Sequence, residues 1–163
     1  MRTNDRNCMC SIYSMSGISH CGILLMKPTY RSGFELGISR NLDKRGIPYE
    51  YETLVLSYKR KVRSAHCGKC ESKEVYSNHH YTPDFILNSG TLIIEAKGKL
   101  DSACRSKMIE VKRANPDLDI RFLFMSDNKL NKNKPARYSD WCEKQGFLYA
   151  FLYVPEDWLR GTN

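Results

Sequence analysis

No apolar run in this 163-residue sequence is long enough to cross a bilayer, for which about 20 consecutive apolar residues are needed. Ile23-Leu24-Leu25-Met26 is a four-residue patch behind a polar Ser, Gly and His stretch, too short for the core of a secretory signal. Nor is there a basic amphipathic helix with a wide apolar face, which argues against an anionic membrane surface as partner. The seven cysteines are an odd number, so with no secretory signal they read as reduced thiols or metal ligands in the cytosol rather than as bridges. Acidic residues are in deficit. Lys and Arg number 26 against 18 Asp and Glu, a net charge of +8 and a pI near 9.1, which favours a polyanionic partner, most simply nucleic acid. The length suits one domain with a core that needs no disulfide staples. The first 26 residues hold four Met and three Cys without clean periodicity, and residues 1–28 are expected to be a disordered lead or an upstream start.

What is present is a dense charged hairpin. Tyr81-Thr82-Pro83-Asp84-Phe85 leads through Asn88-Ser89-Gly90 into Ile93-Ile94-Glu95-Ala96-Lys97. With Ser89-Gly90 as a two-residue loop, Asn88 faces Thr91 and Asp84 faces Glu95, their Cβ atoms about 4.5 to 5.5 Å apart. Glu95 and Lys97 share one face, because side chains alternate along a strand. Like charges opposite one another need a compensating cation, either Lys97 or a divalent metal. Two hard carboxylates suit Mg²⁺, which completes its octahedron with waters and phosphate oxygens. That is phosphodiester chemistry, in which a nearby lysine orients the attacking water or accepts its proton. The competing reading is a surface hairpin with a cross-strand charge pair.

Elsewhere, strands alternate with helices, which argues for an α/β fold. Ser32 and Glu35 have capping-box spacing ahead of Phe34, Ile38 and Leu42, and Gly46 stands where a terminating glycine would. Glu35 is thus a helix cap or a third acidic ligand. Tyr49 to Tyr58 reads as one long strand followed by the basic run Lys59 to Arg63, a solvated strand end or a phosphate contact. Asp101 or Ser102 caps a helix through Ala114 with Cys104, Met108 and Val111 inward, and Asp119 to Met125 reads as a buried strand. A Lys- and Asn-rich loop spans Lys129 to Arg137, a helix Ser139 to Gln145, and a strand Phe147 to Val154. Phe122, Phe124, Phe147 and Phe151, with Trp141 and Trp158, read as packing residues. Cys67-Gly68-Lys69-Cys70, with His66 before and His79-His80 after, has ligand types that suit a structural Zn²⁺. An unoccupied turn or a redox dithiol are the alternatives.

Taken in order, Tyr30-Arg31-Ser32-Gly33-Phe34-Glu35, Tyr81-Thr82-Pro83-Asp84-Phe85, Glu95-Ala96-Lys97-Gly98, Pro116 to Arg121, Cys142-Glu143-Lys144 and Pro155-Glu156-Asp157-Trp158 extend over roughly 130 residues. This series resembles the phage endonuclease I family, the Holliday-junction resolvases of T-seven-like phages within the PD-(D/E)xK nucleases. The resemblance implies a restriction-endonuclease-like fold, a mixed central sheet flanked by helices, over 29–163, with 63–80 as a Cys/His-containing insertion. It implies an intertwined homodimer bridged near Thr53 to Lys61, with Glu35 from one subunit and Asp84, Glu95 and Lys97 from the other. By the same resemblance Asp84, Glu95, Glu35 and the Ala96 carbonyl hold two Mg²⁺ ions, for which Mn²⁺ substitutes, and Lys97 assists the water. The implied substrate is branched DNA in the host-cell cytoplasm. The implied phosphate contacts are Arg31, Lys99, Arg105, Lys107, Lys129, Lys132, Lys134 and Arg137. A less selective nuclease on mismatched or single-stranded DNA, or a non-catalytic DNA-binding protein, are the alternatives. The chain departs from the family pattern in its lead, in the 63–80 segment, and in lacking a very basic tail after Asn163.

Overall fold

The computed structural model describes residues 28–62 and 75–160. All of the N-terminal lead but Pro28 therefore falls outside the described residues, as do 63–74 of the Cys/His segment. The element order is α1 (Gly33–Lys44), β1 (Glu50–Tyr51), β2 (Leu56–Val62), β3 (Val75–Tyr81), β4 (Phe85–Leu87), β5 (Leu92–Lys97), α2 (Ser102–Ala114), β6 (Asp119–Phe124), α3 (Tyr138–Gln145), β7 (Tyr149–Phe151) and α4 (Glu156–Leu159). Five strands form a mixed sheet in the order β1-β4-β5-β6-β7, antiparallel up to β5 and parallel beyond it. Parallel neighbours need crossover connections, and α2 and α3 supply them. β2 and β3 form a separate antiparallel ribbon.

β5 is the strand that places the site. Leu92, Ile94 and Ala96 enter a layer with Ile38 and Leu42 of α1 and Trp158 of α4. Ile93, on the other face, joins Met108 and Val111 of α2 and Trp141 and Cys142 of α3. A strand covered on both faces reads as a continuous apolar run, which is why Leu92-Ile93-Ile94 shows no alternation. Each fully buried Ile contributes about 2 to 3 kcal/mol, so the strand is firmly seated before it reaches Glu95 and Lys97.

The helix ends follow the chemistry of their caps. Ser32 Oγ accepts the Glu35 N–H at 3.2 Å, and Gly46 adopts φ +66° just past the Arg45 cap. The Asp101 carboxylate accepts the Cys104 N–H at 2.8 Å, and α2 stops at Asn115, ahead of Pro116, which disfavours helix in the residue before it. At the end of α3, Lys112 Nζ donates to the carbonyls of Gln145 at 3.1 Å and Gly146 at 2.6 Å, a cation at the negative end of the helix dipole. We expect Lys112→Met to lower unfolding free energy by about 1 kcal/mol, read by urea titration; an unchanged midpoint would refute the cap.

Several local expectations are corrected. The strand expected over Tyr49 to Tyr58 is two strands, broken where Glu52 takes φ +53°. The two-residue loop is instead a 3-10 turn, Asn88–Gly90, although the register counted from it is kept, with Phe85 paired to Ile94 and Leu87 to Leu92. The strand expected over Phe147 to Val154 is only Tyr149–Phe151, because Leu152 turns through φ +64°. The segment after Pro155 is a short helix, α4. Phe151 is not core but 38% exposed on the edge strand, whereas Trp141 and Trp158 are buried.

Candidate active site

Asp84 immediately precedes β4, and the β4–β5 register carried one residue further sets it opposite Glu95. Its Oδ2 accepts the Ala96 N–H at 2.8 Å. Lys97 Nζ stands 2.8 Å from Glu95 Oε1 and 3.4 Å from Asp84 Oδ2. Glu95 is 1% exposed and Asp84 6%, so this is no surface charge pair. Tyr81, the last residue of β3, donates its hydroxyl to Glu95 Oε2. Lys107 of α2 lies 4.0 Å from Glu95 Oε1 and 4.7 Å from the centre of the Tyr81 ring.

The electrostatics follow from burial. Asp84 is pushed up to about 7, first by desolvation and then by the Glu95 charge, against the opposing pull of Lys97 and the Ala96 N–H. Two buried carboxylates are thus not fully compensated by the side chains around them. Burial alone would lower Lys97, but Glu95 and then Asp84 outweigh it and drive its pKa up. Lys97 therefore keeps its proton at neutral pH in this arrangement and acts as a donor. Desolvation, then Glu95, raises the Tyr81 hydroxyl as well.

Glu35 sits at the start of α1 and is buried. Its Oε1 accepts from Ser32 Oγ at 2.8 Å, and its Oε2 from Tyr51 at 2.5 Å and the Arg31 N–H at 3.1 Å. Its carboxylate is therefore engaged in the cap, yet its charge also reaches Asp84 and raises it further. Within one chain Asp84, Glu95 and Lys97 meet directly, while Glu35 acts on them through its charge at Asp84. Among the described residues no three His, Cys, Asp or Glu side chains converge as a ready metal cage. Asp84 and Glu95 are the pair that could hold a hard cation whose remaining positions are filled by water or phosphate oxygen.

The family model for phage endonuclease I matches residues 15–163. The chain belongs to the phage endonuclease I family. It is 36% identical to endonuclease I of Escherichia phage T7 over 149 residues, 91% of this chain and 86% of the relative. It is 38% identical to endodeoxyribonuclease 1 of Enterobacteria phage T3 over 127 residues, 77% of this chain and 74% of the relative.

In this phage endonuclease I family member the expected phosphate contacts divide into two groups. Lys99, Lys129, Lys132 and Lys134 are exposed, the last three in the loop whose ends pair through Lys129 and Arg137. Others are already engaged: Arg31 pairs with Glu52 at 2.8 Å, Arg105 donates to the Leu100 carbonyl at 2.9 Å, and Arg137 to the Asp127 carbonyl at 2.6 Å. Lys107 points at Glu95. Of the zinc candidates, Cys67 and Cys70 lie outside the described residues. His79 stacks on Tyr58 and contacts Ser77, while His80 contacts Ser57; neighbours on a strand face opposite ways, so the two do not aim at one ion. Sequence reasoning missed Tyr51 and Tyr81 as partners of the acidic groups. No spacing announces such hydrogen bonds, because they depend on how the ribbon meets β5 and how β1, paired with β4, meets the start of α1.

Among the described residues no helix is long and apolar enough to cross a membrane.

Proposed function

We propose that the chain is a divalent-metal-dependent endodeoxyribonuclease that hydrolyses phosphodiester bonds in four-way junctions and other branched DNA, cutting opposing strands. The observation that carries this reading is the buried Asp84–Glu95–Lys97 centre in a chain whose relatives are named endonuclease I and endodeoxyribonuclease 1. The donor set fits Mg²⁺ or Mn²⁺: two hard carboxylates, with Asp84 protonated until about 7 when only protein cations face it. Asp84 and Glu95 would hold the metal with the Ala96 carbonyl, and Glu35 would join a second ion by leaving its cap. When bound, such ions supply an acidified water and neutralise charge building on the phosphate. Lys97, held protonated by its two carboxylates, orients the water and balances charge beside it. Exposed Lys99, Lys129, Lys132 and Lys134 grip backbone phosphates, which position the substrate without reading its sequence.

A homodimer accounts for paired cuts. Leu56 to Lys61 of the expected bridge pair with β3 of the same chain, so exchange of α1 and β1 between subunits would hinge at Glu52 to Val55. Sedimentation tests this; a monomer that still cuts both strands would rule it out.

The deciding assay offers a four-way junction and an equal-length duplex, with Mg²⁺ and with chelator. Junction cutting only with metal is expected. Equal cutting of both substrates would favour the less selective nuclease, and binding without cutting would reduce the chain to a DNA-binding protein. Junction affinity should fall about tenfold or more between 50 and 200 mM salt, given several phosphate contacts; affinity indifferent to salt would remove the lysine assignments.

A further inference from the structure

We propose that Tyr81 is a positioning residue for Glu95, fixing by its hydroxyl which carboxylate oxygen faces the Asp84–Lys97 centre. The inference rests on the metal-dependent reading above and deepens it.

A glutamate carboxylate on its flexible stem has rotamers to spare, and Glu95 must present one edge reliably if it is to hold a cation. The two oxygens of Glu95 are treated differently. Oε2 receives the Tyr81 hydroxyl, and Oε1 receives Lys97 Nζ at 2.8 Å with Lys107 4.0 Å away. One edge is therefore tied back to the ribbon and the other is left to the charged centre. Tyr81 is itself firmly packed: it is 3% exposed, set in the core at the end of the ribbon, with the Lys107 ammonium over its ring. It is also placed by backbone, because Thr82-Pro83 ends β3 and turns directly into Asp84. The residue that orients Glu95 thus lies just before the acidic partner of Glu95 in the chain.

Glu35 also receives a tyrosine hydroxyl. Tyr51 donates to its Oε2 at 2.5 Å, with Tyr51 paired to Phe85 across β1 and β4, next to Asp84. Both glutamates thus accept from a buried tyrosine, but only Glu95 keeps its other oxygen turned to the charged centre, since Ser32 Oγ takes Glu35 Oε1. Partners of this kind, hydrogen-bonded to the far side of a ligand, typically alter metal affinity or activity by about 10- to 100-fold when removed.

The test is Tyr81→Phe in the full chain, which keeps the ring and its Lys107 contact and removes only the donor. Tyr149→Phe serves as control, since Tyr149 donates to Glu143 at 2.8 Å away from the centre. Mn²⁺ binding is measured by the loss of free-ion paramagnetic resonance signal, alongside junction cleavage at varied Mn²⁺. Expected for Tyr81→Phe is Mn²⁺ affinity weakened about tenfold or more, lower kcat with unchanged KM for the junction, and partial rescue by excess Mn²⁺. The control should match the parent. Affinity and cleavage equal to the parent would overturn the proposal, as would lost cleavage with intact Mn²⁺ binding. Should the phenylalanine variant fold poorly, Glu95→Asp serves as a second probe: it keeps the charge but withdraws it from Tyr81, and undiminished Mn²⁺ affinity there would be equally fatal. If the parent itself binds no Mn²⁺ and cuts nothing, the metal-dependent reading falls and takes this one with it.

Discussion

Asp84→Asn and Glu95→Gln are each expected to abolish strand cutting while leaving junction binding intact. The substitutions are close to isosteric: an amide oxygen at position 84 can still accept the Ala96 N–H, and one at position 95 can still accept from either Lys97 or Tyr81, which meet different oxygens of Glu95. What they remove is charge. A metal clamp at a scissile phosphate contributes several kcal/mol to transition-state stabilisation, and each 1.4 kcal/mol is about a factor of ten, so a loss on the order of 10³-fold or more follows. Binding is spared because the exposed lysines that would hold DNA arms are elsewhere, on Lys99 and the Lys129 to Lys134 loop. Single-turnover cleavage and gel-shift titration on one junction separate the two quantities. Parental cutting by either variant would show that the acidic pair is not the catalytic centre; loss of binding with cutting would show that it is structural.

That the pair is buried could not be read from the hairpin alone. The register that opposes Asp84 to Glu95 was legible because counting outward from the turn at Asn88-Ser89-Gly90 fixes it, although the turn itself takes a different form. The cap at Ser32, the α2 cap narrowed to Asp101 or Ser102 and the helix stop before Pro116 were legible for similar reasons, since each depends on residues close together in the chain. The break at Glu52 was not. A positive φ at a glutamate has no local signal, and it arises where β1 stays with the main sheet while β2 leaves to pair with β3 and pack against α2. Lys107 shows the same limit. On sequence it is one more basic residue on the outer face of α2, whereas docking of that helix brings it to Glu95 and Tyr81. Long-range docking, not propensity, decides which charges are solvated and which are part of the centre.

The same burial gives the centre a thermodynamic signature that needs no substrate. In chelator, Asp84 titrates near 7 in the native chain and near the ordinary carboxylate value of 3.8 when unfolded. Between those values the native state holds a proton that the unfolded state has released, so stability falls as pH rises through that window. Its contribution is complete below about 4 and gone above about 7. A displacement of that size corresponds to at most about 4 kcal/mol, a large share of the roughly 5 to 15 kcal/mol typical of a domain. Other groups titrate in the same range, so the decisive quantity is the difference between parent and Asp84→Asn. The parent should lose melting temperature from about pH 5 to about pH 7.5 relative to the variant, and the variant should be the more stable of the two at the upper end. Mg²⁺, which prefers the ionised carboxylate, competes with that proton and should restore the parent most where chelated protein is weakest, with no such effect on the variant. Parallel melting profiles for the two proteins in chelator would mean that Asp84 is not perturbed by burial, and that the deficit of positive charge at this centre does not exist.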